Sequence, residues 1–97
     1  MNYFFHPAAE SEYLESIGYF ESKQAGLGAS FLYEFELKMK IICSNQKSYQ
    51  IECVPDIRRT PMSRFPYTII YRLKANEIQV LAVAHQKRRP SYWLGRL

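Results

Sequence analysis

The sequence predicts an α+β domain, a helical hairpin packed on a mostly antiparallel four-stranded sheet in the order β-α-α-β-β-β. Three observations lead there. Apolar residues recur at helical spacing through roughly the first 44 residues, and the pattern changes to strand alternation near residue 48. A Gly-Leu-Gly break divides the helical half in two. A run of helices followed by a run of strands places the helices together on one face of an antiparallel sheet.

Residues 2–6 are short and aromatic, which suits a first strand. Pro7 can open a helix, because the first helical turn has no use for its missing N–H. From there to residue 24, Ala9, Tyr13, Ile17 and Phe20 fall on one helical stripe. Glu10, Glu12 and Glu15 lie near the N-terminus of that helix, where its dipole favours negative charge. Gly26-Leu27-Gly28 makes the turn into a second helix over 28–44, with Phe31, Phe35, Met39 and Ile42 on its stripe. The hairpin has an apolar face that something must cover.

The second half supplies the cover. Residues 49–53 alternate as a strand, and Val54 to Pro61 reads as a loop, with Asp56 and two prolines. Residues 63–73 form a longer strand-like run, with Phe65, Tyr67, Ile69 and Tyr71 on one face. Lys74 to Glu77 is a polar turn. Ile78 to Ala84 is almost wholly apolar, as expected of a central strand covered on both faces. Gln86 to Pro90 is basic and irregular, and Ser91 to Leu97 is a short terminal helix or tail.

A chain of 97 residues with 47% hydrophobic content makes one domain, 1–97, with one modest core. Eight Tyr, six Phe and one Trp are many rings for this length; they fill a small core with few residues and can also stack on bases. No stretch approaches the roughly 20 apolar residues of a membrane span. The opening residues lack a basic region followed by an apolar run, so no signal peptide is expected. Cys43 and Cys53 have no metal-ligand spacing and read as buried, reduced thiols, which fits a cytoplasmic protein with no metal and no cofactor.

Charge is unevenly placed. In residues 1–48 six Glu against four Lys leave −2; in residues 49–97 three acids against nine basic residues leave +6. The basic half suggests an anionic partner: nucleic acid, a phosphate, or an acidic protein. A repressor acting alone on DNA fits poorly, because the expected helices carry the acid and none is a basic recognition helix.

Several phrases resemble the toxins of the RelE/ParE superfamily. Pro7-Ala8-Ala9-Glu10 opens a helix as theirs does, and Gly26-Leu27-Gly28 is followed by Phe31 and Glu34. Ile57-Arg58-Arg59 and the run Arg64 to Tyr71 are more specific. Most specific is Ile78 to His85, continuing through Arg88, Arg89, Pro90, Tyr92, Trp93 and Arg96. The resemblance implies a toxin encoded beside an antitoxin that binds and blocks it, as in plasmid stabilisation systems. Such toxins reach operator DNA only through the antitoxin. RelE-like members cleave messenger RNA on the ribosome, whereas ParE-like members poison DNA gyrase.

Each target sets different demands. Metal-independent RNA cleavage needs a base for the 2′-hydroxyl, cations for the phosphorane charge and an acid for the leaving oxygen. The candidates are Glu52 or His85 as base, Arg58, Arg59, Arg64 and Arg88 as cations, and Tyr92 as acid or stacking ring. RelE-like nucleases commonly carry a lysine-rich centre or a Glu/Arg/His set, and here the second strand and its flanks supply only Lys47 and Glu52. Gyrase poisoning needs a fixed charged and aromatic surface, for which Arg58, Arg59, Arg64, Arg88, Arg89 and Trp93 are the candidates. His85, Arg88, Pro90 and Trp93 have a spacing closer to ParE-like chains. The sequence therefore points to a gyrase poison, with the ribosome-dependent nuclease as the alternative. His85 can equally pin the basic loop, and Tyr92 and Trp93 can cap the core.

Overall fold

The computed structural model describes residues 1–45, 47, 49–53 and 56–97, with Cys53 described by its backbone alone. The elements are β1 (Tyr3–Phe5), α1 (Pro7–Lys23), α2 (Leu27–Ser44), β2 (Ile51–Cys53), β3 (Ile57–Pro61), β4 (Tyr67–Lys74), β5 (Glu77–His85) and a terminal 3-10 helix, Tyr92–Arg96. The helical hairpin and its boundaries follow the sequence expectation. The sheet has five strands rather than four, in the order β1-β5-β4-β3-β2. β1 runs parallel to β5, and the remaining pairs are antiparallel.

The fifth strand is β3, in the segment expected to be a loop; Val54 and Pro55, where that loop was to begin, lie outside the described residues. Ile57 and Thr60 are buried on opposite faces of β3, and its charged residues find carboxylates. Arg58 bonds Asp56 at 2.9 Å and Arg59 bonds Glu52 at 3.1 Å. Two adjacent arginines hide the alternation, yet their heads are paired while the backbone joins the ladder. Pro61 ends the strand, and Met62 N–H then donates to Tyr67 O across a turn.

Both helical stripes face the sheet. Ala9, Tyr13, Phe31, Phe35, Met39 and Ile42 pack against Ile69, Tyr71, Ile78, Val80 and Val83. Phe65 joins this core from the turn before β4 rather than from the strand. Glu34 of α2 is buried and accepts the N–H groups of Ser63 and Arg64, tying that turn to the hairpin. Cys43 is a half-buried free thiol whose pKa burial pushes up. Among the described residues no helix is long and apolar enough to cross a membrane.

The hairpin turn depends on two glycines. Gly26 holds a φ of 88°, and the Glu21 carboxylate accepts the N–H groups of Gly26 and Gly28, capping the start of α2. A Cβ at Gly28 would lie 2.6 Å from the Ile17 carbonyl oxygen of α1. Backbone must move to relieve that contact. Gly28→Ala is therefore expected to destabilise by about 1–3 kcal/mol despite alanine's better helix propensity. A thermal melt equal to or above that of the parent would contradict the close crossing.

A second, smaller core covers the other face. Ile57, Ile70, Leu81, Ala82 and Trp93 form it, with Ala84 and Tyr92 packed alongside. The central strand is thus covered on both sides, as its apolar run predicts. A bulge adjusts its faces: Tyr71 pairs with Val80 and Ile70 with Ala82, leaving Leu81 between them. Leu81 and Ala82 both turn to the terminal helix, while Val80 and Val83 face the hairpin.

Candidate functional site

On the face opposite the hairpin, a cleft of about 210 Å³ lies between the β2–β3 end of the sheet and the segment after β5. Glu52, Arg59, Arg88, Arg89, Tyr92 and Trp93 are among its lining residues. Strand alternation decides who is present. Arg59 shares its face with Ile57 of the small core, so it projects into the cleft. Arg58 is in register with Tyr71 of the hairpin-side core and bonds Asp56 and the Tyr49 carbonyl instead. Arg64 sits in the turn before β4, 3.7 Å from Glu34, with its guanidinium over the Phe65 ring. Arg58 and Arg64 therefore stand apart from the cleft.

Of the nuclease candidates, Glu52, Arg59, His85, Arg88 and Tyr92 all line this cleft, but the acid–base groups among them are each engaged by a neighbour. Glu52 is engaged by Arg59 at 3.1 Å. His85 borders the cleft, but its ring packs edge-on against Tyr67, its register partner, on the hairpin side. Its Nδ1 accepts the Lys87 N–H at 3.0 Å and so pins the basic loop. The Tyr92 hydroxyl donates to Glu12 at 2.7 Å. Burial, then that hydrogen bond and the negative charge of Glu12, push the Tyr92 pKa well above its usual range, so it holds its proton tightly. Among the described residues no group of three or more His, Cys, Asp or Glu is placed to hold a metal ion.

The basic loop is fixed from several sides. Gln86 N–H donates to Pro66 O, and Arg88 N–H to His85 O. The Arg88 guanidinium lies 3.9 Å over the Tyr92 ring, with its side chain 52% exposed. Arg89 is exposed and forms no ion pair among the described residues. Trp93 is 2% exposed and belongs to the small core, so it supports the surface rather than presenting a ring.

Glu12 organises this end of the molecule. β1 pairs with β5 only from Ile78 to Val80, so the β5 edge beyond it lacks a strand neighbour. Glu12 reaches down from α1 and accepts the Val83 N–H at 3.0 Å. Arg96 comes round the edge from the terminal helix, donates to the Leu81 carbonyl at 2.9 Å and bonds both Glu12 oxygens. An ion pair stands in for the missing strand. Burial raises the Glu12 pKa, but hydrogen bonds from Arg96, Tyr92 and Val83, with the charge of Arg96, outweigh it and hold the carboxyl below its ordinary value. Sequence reasoning had placed Glu12 only near the helix N-terminus. No spacing rule links it to Arg96, 84 residues away.

The chain is thus a five-stranded α+β domain with a basic cleft on the face opposite its helical hairpin. The family model of the ParE toxin of type II toxin–antitoxin system, parDE, matches residues 3–90, and the chain belongs to that family. Membership makes it a toxin component and implies an antitoxin partner. No curated protein matches the chain. The family match ends before Tyr92, Trp93 and Arg96, the residues that close the cleft and complete the Glu12 network.

Proposed function

We propose that this toxin arrests growth in the cytoplasm by poisoning DNA gyrase through its basic cleft, and that its cognate antitoxin neutralises it. The observation that carries the reading is the contrast within the candidate residues. Arg59, Arg88 and Arg89 gather around one cleft, while the groups there that could transfer protons are each held by a neighbour. Glu52 is held by Arg59, the His85 ring packs on Tyr67, and the Tyr92 hydroxyl binds Glu12. Poisoning a topoisomerase is a binding event; it needs a charged surface in fixed geometry and no general base. β1 and β2 are the two edges of the sheet. An extended acidic segment of the antitoxin would add to such an edge and be drawn by the basic second half of the chain.

The test is a panel checked first for folding. Arg88→Ala/Arg89→Ala should abolish toxicity and trapped gyrase–DNA complexes, an affinity loss of roughly 10²-fold or more. Glu52→Gln, His85→Ala and Arg64→Ala should remain largely toxic. Co-expression of the antitoxin should restore growth. Codon-positioned cuts in translated RNA, with a loss of roughly 10²–10⁴ in rate for Glu52→Gln or His85→Ala, would replace this reading with ribosome-dependent mRNA cleavage.

A further inference from the structure

We infer that Glu12, half-buried on the α1 side of the sheet, is the positioning residue for Arg88 on the gyrase-directed surface; the inference rests on the reading just given. The geometry runs through one carboxylate. Glu12 Oε2 lies 2.7 Å from the Tyr92 hydroxyl, 2.9 Å from Arg96 Nη2 and 4.0 Å from Arg88 Nη1. Its Oε1 accepts from Val83 N–H and Arg96 Nη1, both at 3.0 Å. A carboxylate has about four lone-pair directions, so this one is saturated and has a single orientation. The Tyr92 ring is fixed in turn by its hydroxyl, and its face carries the Arg88 guanidinium at 3.9 Å.

Arg88 is thus held at two points, by a ring face and by a charge, while half of its side chain stays open to solvent. A free arginine on an exposed loop samples many rotamers and must be immobilised when it binds. Holding it beforehand removes that penalty. Apparent affinity falls in proportion to the fraction of molecules in the competent geometry. Loosening Arg88 so that about one molecule in ten is competent would weaken target binding about tenfold. Glu12 also clamps the β5 edge. A purely structural clamp would alter stability without altering Arg88 in the folded protein, and the two roles separate on that point.

The experiment compares the full-length chain with Glu12→Gln, Tyr92→Phe and, as a destabilised control in the hairpin-side core, Met39→Ala. All are studied at a temperature where each is folded. Proton NMR follows the Arg88 side-chain resonances, which the Tyr92 ring current shifts upfield. Trapping of DNA by purified gyrase follows function. Glu12→Gln should lose the upfield shift and need about tenfold more toxin for half-maximal trapping. Met39→Ala should change neither. Tyr92→Phe keeps the ring but removes its bond to Glu12; it should move both readouts in the same direction by less, and it serves alone should Glu12→Gln fail to fold. Normal trapping with a displaced Arg88, or impaired trapping with Arg88 in place, overturns the inference; so does no change in either readout. Where Arg88→Ala/Arg89→Ala abolishes trapping and these variants do not weaken it, the inference falls alone. A wild-type chain that traps no gyrase, or a double variant that traps as well as wild type, overturns the cleft reading and this inference with it.

Discussion

Replacing Phe35 with Ala is expected to lower the unfolding free energy by about 3–5 kcal/mol, the range for a large aromatic removed from a packed core. Phe35 has no exposed surface and sits where β1, α1 and α2 meet. Its ring stacks on Phe5 at 5.7 Å, meets Tyr13 at 4.5 Å and takes the edge of Tyr3 at 6.3 Å. β1 has only three residues and one strand neighbour, so these rings supply much of what holds it. A domain of this size has roughly 5–15 kcal/mol in total, so the variant should be marginal. Each kcal/mol lost should lower the melting temperature by roughly 4–8 °C. A loss under about 1 kcal/mol would mean that the ring lies outside the core.

Arg96→Ala should also be damaging, by about 2–3 kcal/mol at neutral pH, because it leaves the half-buried Glu12 carboxylate without its main counter-charge. Both side chains of the pair are mostly shielded, at 15% and 14% exposure. The same pair makes a pH prediction. The Glu12 pKa is lowered from its ordinary 4.5, so the folded state favours the ionised form. That contribution is fully present above about pH 4.5 and is lost as pH falls through the depressed folded value. Glu12→Gln should therefore be less stable than the parent at pH 7, with the gap closing as the medium is acidified below the ordinary carboxylate range. Thermal unfolding of both proteins at a series of pH values decides it. A gap that stays constant into acid would show that the charge of Glu12 contributes nothing.

The candidate site was partly legible in the chain. The charge imbalance between the halves pointed to the half that forms the basic cleft, and the segment after β5 was expected to rest on a rigid base because the preceding strand is apolar throughout. Strand parity then divided the candidates. Arg59 and Arg58 are neighbours in sequence, but alternation sends one into the cleft and the other to the opposite face. With β3 read as a loop, that parity had no strand to act on. Glu52 and His85 were alternative candidates for a base; register sets the His85 ring against Tyr67 and Glu52 beside Arg59.

The sequence by itself determined the helical hairpin, its two apolar stripes, the glycine turn and the central strand β5. Each is written in short-range periodicity, which depends only on side chains a few residues apart facing the same way. Tertiary structure alone decided the fifth strand, the parallel pairing of β1 and the role of Glu12. The β1 pairing and the Glu12 contacts join groups 71 to 84 residues apart in the chain. β1 ends at Phe5 while β5 runs on to His85, leaving backbone groups that must be satisfied where no strand reaches them. An acid on a helix and an arginine at the chain's end satisfy them, and only the folded chain brings the two within reach.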